Sequence, residues 1–158
     1  MRRRFAELLY EAMKTDDRVF LITADLGFRL WDRIKEDFPN RYANVGAAEQ
    51  AAVGMAIGLA QEGKIPFVYS ITPFLLYRPF ELLRTYIDHE GIVVHLVGSG
   101  RDNDYERDGF SHWAVDASDI LFSLERIQQY YPEDLANLEK VFAGILTSKS
   151  PTFLSLSR

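Results

Sequence analysis

The stretch from Asn44 to Gly63, Asn-Val-Gly-Ala-Ala-Glu-Gln-Ala-Ala-Val-Gly-Met-Ala-Ile-Gly-Leu-Ala-Gln-Glu-Gly, constrains the fold more than any other part of the chain. It reads as a strand end, a tight glycine turn and then a helix. From Ala47 to Ala60 almost every side chain is small or apolar, so this helix is expected to be covered on all sides rather than half-solvated. Glu49 is the exception. A carboxylate in a first turn gains from the helix dipole, which is the ordinary reason for a glutamate there. Among Ala, Val, Met and Ile it also loses hydration, so it needs a partner or must take up a proton. Carboxyls in that position concentrate at functional sites.

The rest of the chain can be placed around this helix. Phe5, Leu8, Leu9, Ala12 and Met13 recur at helical spacing, and that first helix ends near Thr15-Asp16-Asp17. Val19 to Thr23 is a short apolar run of the kind buried on both faces of a parallel sheet, followed by Ala24-Asp-Leu-Gly27 at its carboxyl end, where open α/β sheets place ligands. Leu30 to Phe38 is expected to be helical, with Pro39-Asn-Arg41 ending it. Ile65 to Ile71 is a strand, and a single helix is expected from Pro73 to His89, bringing Phe74, Tyr77 and Phe80 onto one face. Gly91 to Gly98 is a third long strand, whose His95 is expected in the core. Ser99 to Trp113 is a charged loop, too polar for the core and long enough to suspect function. A helix over 114–124, a strand over 126–131, a helix over 132–149 and a strand over 152–157 complete the alternation. The pattern predicts one α/β domain over residues 1–158, a three-layer αβα sandwich on a mostly parallel sheet of about six strands.

Composition removes several classes of function. At 158 residues and 47% hydrophobic content the chain can bury one substantial core. It has no cysteine, hence no disulfide, thiolate metal site or cysteine nucleophile, which suits a cytoplasmic location. Net charge is −5 with mixed signs, and Arg2-Arg3-Arg4 is the one basic run, a poor basis for nucleic-acid binding. Glutamates at helical spacing after that run argue against an export signal, and no stretch has membrane-spanning length. Gly98-Ser-Gly100 lacks the third glycine of a dinucleotide fingerprint, and His89, His95 and His112 have no metal-ligand spacing.

Val45-Gly-Ala-Ala-Glu-Gln-Ala-Ala-Val-Gly-Met-Ala-Ile-Gly-Leu-Ala, with Pro66-Phe-Val-Tyr-Ser-Ile-Thr-Pro-Phe-Leu and Asp108-Gly-Phe-Ser-His, resembles the pyrimidine-binding domain of transketolase-like thiamine diphosphate enzymes. The resemblance runs from Ala24-Asp-Leu-Gly to the closing Pro151-Thr-Phe-Leu-Ser-Leu-Ser-Arg and implies the thiamine diphosphate-binding fold. It implies that Glu49 bonds N1′ of the cofactor's aminopyrimidine and promotes loss of the proton from C2. It makes Phe74, Tyr77 and Phe80 the candidates that cradle the pyrimidine, with Tyr77 the stacker, and puts Leu26 against the thiazolium. Asp108 and His112 take substrate-contacting roles, and Arg3 a place near substrate phosphate.

The resemblance also has departures. Phe110 stands for the family's proline, the loop before it is charged rather than glycine-rich, and Val97-Gly-Ser-Gly stands where transketolases carry Thr-His-Asp-Ser. The Gly-Asp-Gly…Asn motif that holds magnesium and the diphosphate in the family does not occur in this sequence. The resemblance therefore implies a subunit of a split transketolase-like enzyme acting on sugars or sugar phosphates. A separate diphosphate-binding chain would hold Mg2+, and a pair of the present chains would sit within an α2β2 complex. A deoxyxylulose-phosphate synthase-like or oxo-acid dehydrogenase-like subunit, or a non-catalytic relative, is the alternative.

Overall fold

The computed structural model describes all residues, Met1–Arg158. Six strands form one sheet: β1 (Val19–Thr23), β2 (Tyr42–Asn44), β3 (Ile65–Ile71), β4 (His95–Ser99), β5 (Gln128–Tyr130) and β6 (Thr152–Leu156). Their order is β2-β1-β3-β4-β6-β5, and every neighbouring pair is parallel. Parallel neighbours need crossover connections, and here these cover both faces with helices. On one face lie α1 (Arg2–Thr15), α2 (Asp32–Asp37) and the last helix, Leu135–Leu146. On the other lie α3 (Glu49–Gln61), α4 (Thr72–Tyr77), α5 (Phe80–Leu82) with the π-helical turn Leu83–His89 that continues it, and α6 (Ala117–Phe122). The last helix, α7, starts where the Asp134 carboxylate accepts the Asn137 N–H at 2.7 Å.

Alternation along the strands builds two cores. Ile22, Val68, Leu96 and Phe153 face α3 to α6, whereas their neighbours Leu21, Phe67, Val97 and Leu154 face α1, α2 and α7. In the second core Phe5 meets Phe142 edge-on at 5.7 Å, and Phe67 stacks on Phe142 at 5.9 Å. His95 is a core residue, as expected. It bonds Thr152 Oγ1 through Nδ1 at 2.9 Å, and burial pushes it down to about 4.

Four expectations need correction. The apolar run Pro73 to His89 is not one helix: Pro79, without an N–H and with a ring that crowds the preceding turn, breaks it between α4 and α5. The helix expected from Leu30 starts only at Asp32, because Gly27 to Leu30 is taken up by a turn under Trp31. The third long strand begins at His95 instead of Gly91. Finally, α3 is covered on one face only. Ala52, Val53, Ala56 and Ile57 are buried, but Ala51, Gly54, Met55 and Gly58 are exposed, so the chain leaves one face of this largely apolar helix uncovered. No helix is long and apolar enough to cross a membrane.

Candidate functional site

β1 leads to α2 on one face of the sheet and β3 leads to α4 on the other, so the chain diverges at the carboxyl ends of these adjacent strands. Ligand crevices of open α/β sheets form at such points. The loop after β1 is fixed there by local chemistry. Asn44 Oδ1 accepts from the Asp25 N–H at 2.9 Å and the Gly46 N–H at 3.1 Å, tying the ends of β1 and β2 together ahead of α3. Gly27 has φ +89°, and a Cβ there would collide with the Trp31 indole. With glycine in place, that indole donates through Nε1 to the Leu26 carbonyl at 3.1 Å.

Glu49 opens α3 and is 1% exposed. Its carboxylate has two partners: Ser70 Oγ on β3 donates to Oε1 at 2.7 Å, and Arg78 Nη1 donates to Oε2 at 2.5 Å. The Arg78 guanidinium lies 3.9 Å from the centre of the Phe74 ring. Phe74 meets His112 edge-on at 4.8 Å, and His112 lies 6.4 Å from the ring of Tyr105. Glu49, Arg78, Phe74, His112 and Tyr105 therefore form one continuous line of contacts drawn from separate segments of the chain.

Tyr105 joins this line to a cavity of about 660 Å³. The cavity is walled by Leu26 and by Arg2, Arg3, Arg29, Arg33 and Arg158, with Glu7 as the one carboxylate among them. On a chain of net charge −5, five arginines and one acid along one hollow give it a local excess of positive charge. Arg2 donates to the Tyr105 hydroxyl at 3.0 Å, Ser99 Oγ bonds the same oxygen at 2.9 Å, and the Arg158 guanidinium sits 5.2 Å over the Tyr105 ring.

The expected site residues are distributed as follows. Glu49, Phe74 and His112 are in the line of contacts, and Leu26 and Arg3 are in the cavity wall. Tyr77 stands at the surface, 48% exposed, bonded through its hydroxyl to the Asp116 carboxylate. Loss of hydration, then that bond, pushes Tyr77 up to about 12. Phe80 packs on the core beside α3. Asp108 is exposed, at the end of a 3₁₀ turn. Sequence reasoning missed Ser70, Arg78, Tyr105 and the arginines beyond Arg3. Arg78 had a signal: it is the one cation in the run from Pro73 to Phe80, and a buried carboxylate was in need of a partner. No group of three or more His, Cys, Asp or Glu side chains is arranged to hold a metal ion.

A parallel αβα sandwich with a buried, hydrogen-bonded glutamate at the start of an apolar helix places the chain among the open, doubly wound α/β domains. Over residues 1–158 the chain matches the family described as the transketolase, pyrimidine binding domain, and it belongs to that family. A 6-deoxy-6-sulfo-D-fructose transketolase subunit of a Clostridium sp. is 32% identical over 100% of this chain and 49% of the relative. An apulose-4-phosphate transketolase subunit of Actinobacillus succinogenes is 27% identical over 77% of this chain and 39% of the relative. Among solved structures, one described as a split gene transketolase, inactive beta4 tetramer, superposes with a TM-score of 0.86 at 26% identity, covering 99% of this chain and 51% of that one. The chain thus spans about half the length of these relatives or less.

Proposed function

We propose that this chain is the pyrimidine-binding part of a split transketolase-like enzyme. In this reading it binds the aminopyrimidine of thiamine diphosphate and activates it through Glu49 for two-carbon transfer between sugars or sugar phosphates. The observation that carries the proposal is the burial of Glu49, 1% exposed, with Ser70 on one oxygen and, on the other, Arg78, whose guanidinium lies over the Phe74 ring. An aminopyrimidine is flat, with nitrogens along its edge, and a buried carboxylate separated from an aromatic ring by one planar guanidinium suits that shape. When bound, thiamine diphosphate supplies the carbon nucleophile, and the protein supplies position and electrostatics.

The chain's own residues then have distinct tasks. Glu49 holds or passes a proton at the pyrimidine edge, in a setting that excludes water. Phe74 and Tyr77 border the ring, with Phe80 supporting them from the core, and Leu26 meets the thiazolium from the cavity wall. His112, reached through Phe74, contacts the substrate together with Asp108. Arg3, among the cavity's other arginines, takes the substrate's anionic end. A partner carrying the Gly-Asp-Gly…Asn motif holds Mg2+ and the diphosphate, and the exposed stripe of α3 joins two copies of this chain within an α2β2 assembly. The names of the relatives, subunits of transketolases, support the division of labour.

Calorimetry on the chain alone and on its mixture with such a partner tests the reading. The mixture should bind thiamine diphosphate in a magnesium-dependent way and the chain alone only weakly. Tight binding without a partner would overturn the split arrangement.

A further inference from the structure

Both oxygens of the Glu49 carboxylate are already bonded inside the chain, one to Ser70 and one to Arg78. A ligand that bonds this carboxylate must replace one of them. Ser70 lies within β3, is 1% exposed and is held in the sheet by its neighbours. Arg78 differs on each count. It stands between the end of α4 and Pro79, at the break in the helix, and its side chain is 42% exposed on a long stem. The same guanidinium lies 3.9 Å from the Phe74 ring, covering the face that a flat ligand would use.

A guanidinium is planar, delocalised and weakly hydrated, with N–H donors along its edge. Its edge on a carboxylate and its face on an aromatic ring are the two contacts that an aminopyrimidine bound to Glu49 and Phe74 would make. We infer that Arg78 is a positioning residue that occupies the pyrimidine's place, holding Glu49 and covering Phe74 in the ligand-free chain, and that it leaves both when an aminopyrimidine binds. Without it, the buried Glu49 charge would keep a single hydroxyl donor, an arrangement that destabilises the fold. This inference rests on the proposed reading of the site.

The test is titration of the reconstituted complex with thiamine diphosphate and Mg2+, together with the melting temperature with and without the cofactor. Arg78→Met keeps the length of the stem and removes the competing donor. It should tighten binding about tenfold, the equivalent of one charge-assisted hydrogen bond that no longer has to break. It should also lower the melting temperature of the cofactor-free form and enlarge the rise on adding cofactor. If that variant fails to fold, Arg78→Lys, which keeps the charge and loses the planar fork, should tighten binding by a smaller factor. Unchanged or weaker binding in the variant, or equal loss of melting temperature in the loaded and cofactor-free forms, would overturn the inference while leaving the site reading intact. A wild-type complex that binds no cofactor would overturn both.

Discussion

The ring of Tyr105 fills the space that a side chain on Gly100 would need: a Cβ at Gly100, where φ is +87°, would collide with two of its ring carbons. The charged loop after β4 is thereby anchored by a buried aromatic whose hydroxyl bonds Ser99 and Arg2. Gly100→Ala should cost roughly 1–3 kcal/mol from backbone strain, with displacement of the ring adding to it. Denaturant unfolding of a double-mutant cycle checks the cause: Tyr105→Ala should cost less in the Gly100→Ala background than in the wild type. Additive costs would mean that the two residues do not compete for space.

His95 makes stability depend on pH. Its folded-state value of about 4 lies below the ordinary 6.5, so the unfolded chain binds a proton that the folded chain refuses. The contribution is complete above pH 6.5 and is lost as pH falls towards 4, amounting to up to roughly 3 kcal/mol. His95→Gln should flatten the unfolding free energy across that window, as read by denaturant titrations at stepped pH. An unchanged slope would assign the acid sensitivity to other groups.

The uncovered stripe of α3 bears on assembly. A side chain at Gly58 meets nothing within 4 Å inside the chain, so Gly58→Leu should leave the single chain folded. If a second copy covers the stripe, the same change wedges the two helices apart. Light scattering should show the wild type as a dimer and the variant as a monomer; equal masses would contradict this interface.

Much of this architecture was legible in the sequence because it is local. The long strands of the sheet are short apolar runs, and Glu49 is conspicuous as a charge at the head of an apolar helix. What escaped depends on contacts across the chain. Tyr105 sits among charged neighbours, and only the fold shows that it is 8% exposed. Arg2 and Arg158, at opposite ends of the sequence, meet at one cavity. The break at Pro79 was hidden by hydrophobic periodicity that continues through it. The apolar surface of α3 looks the same in sequence whether its own chain or another covers it.

The arginine-walled cavity sets an expectation for substrate. Arg3→Ala should raise KM for a phosphorylated sugar donor about tenfold, the loss of one charged hydrogen bond, with kcat little changed. An unphosphorylated donor should be used as well as before. Steady-state kinetics of the reconstituted complex with both donors decides it, and an equal effect on the two would remove Arg3 from the anion's contacts.

The role of Glu49 carries the whole account, and Glu49→Gln separates its two readings. The amide keeps the shape and some of the hydrogen bonding but cannot take up the proton. If Glu49 is only structural, holding Ser70 and Arg78 at the head of α3, the change lowers stability and leaves chemistry alone. The decisive measurement is deuterium exchange at C2 of thiamine diphosphate in the wild-type and Gln complexes, each with the cofactor bound. Exchange should slow by a factor of roughly 10²–10⁴ in the variant; equal rates in the two complexes would contradict the function proposed for this chain.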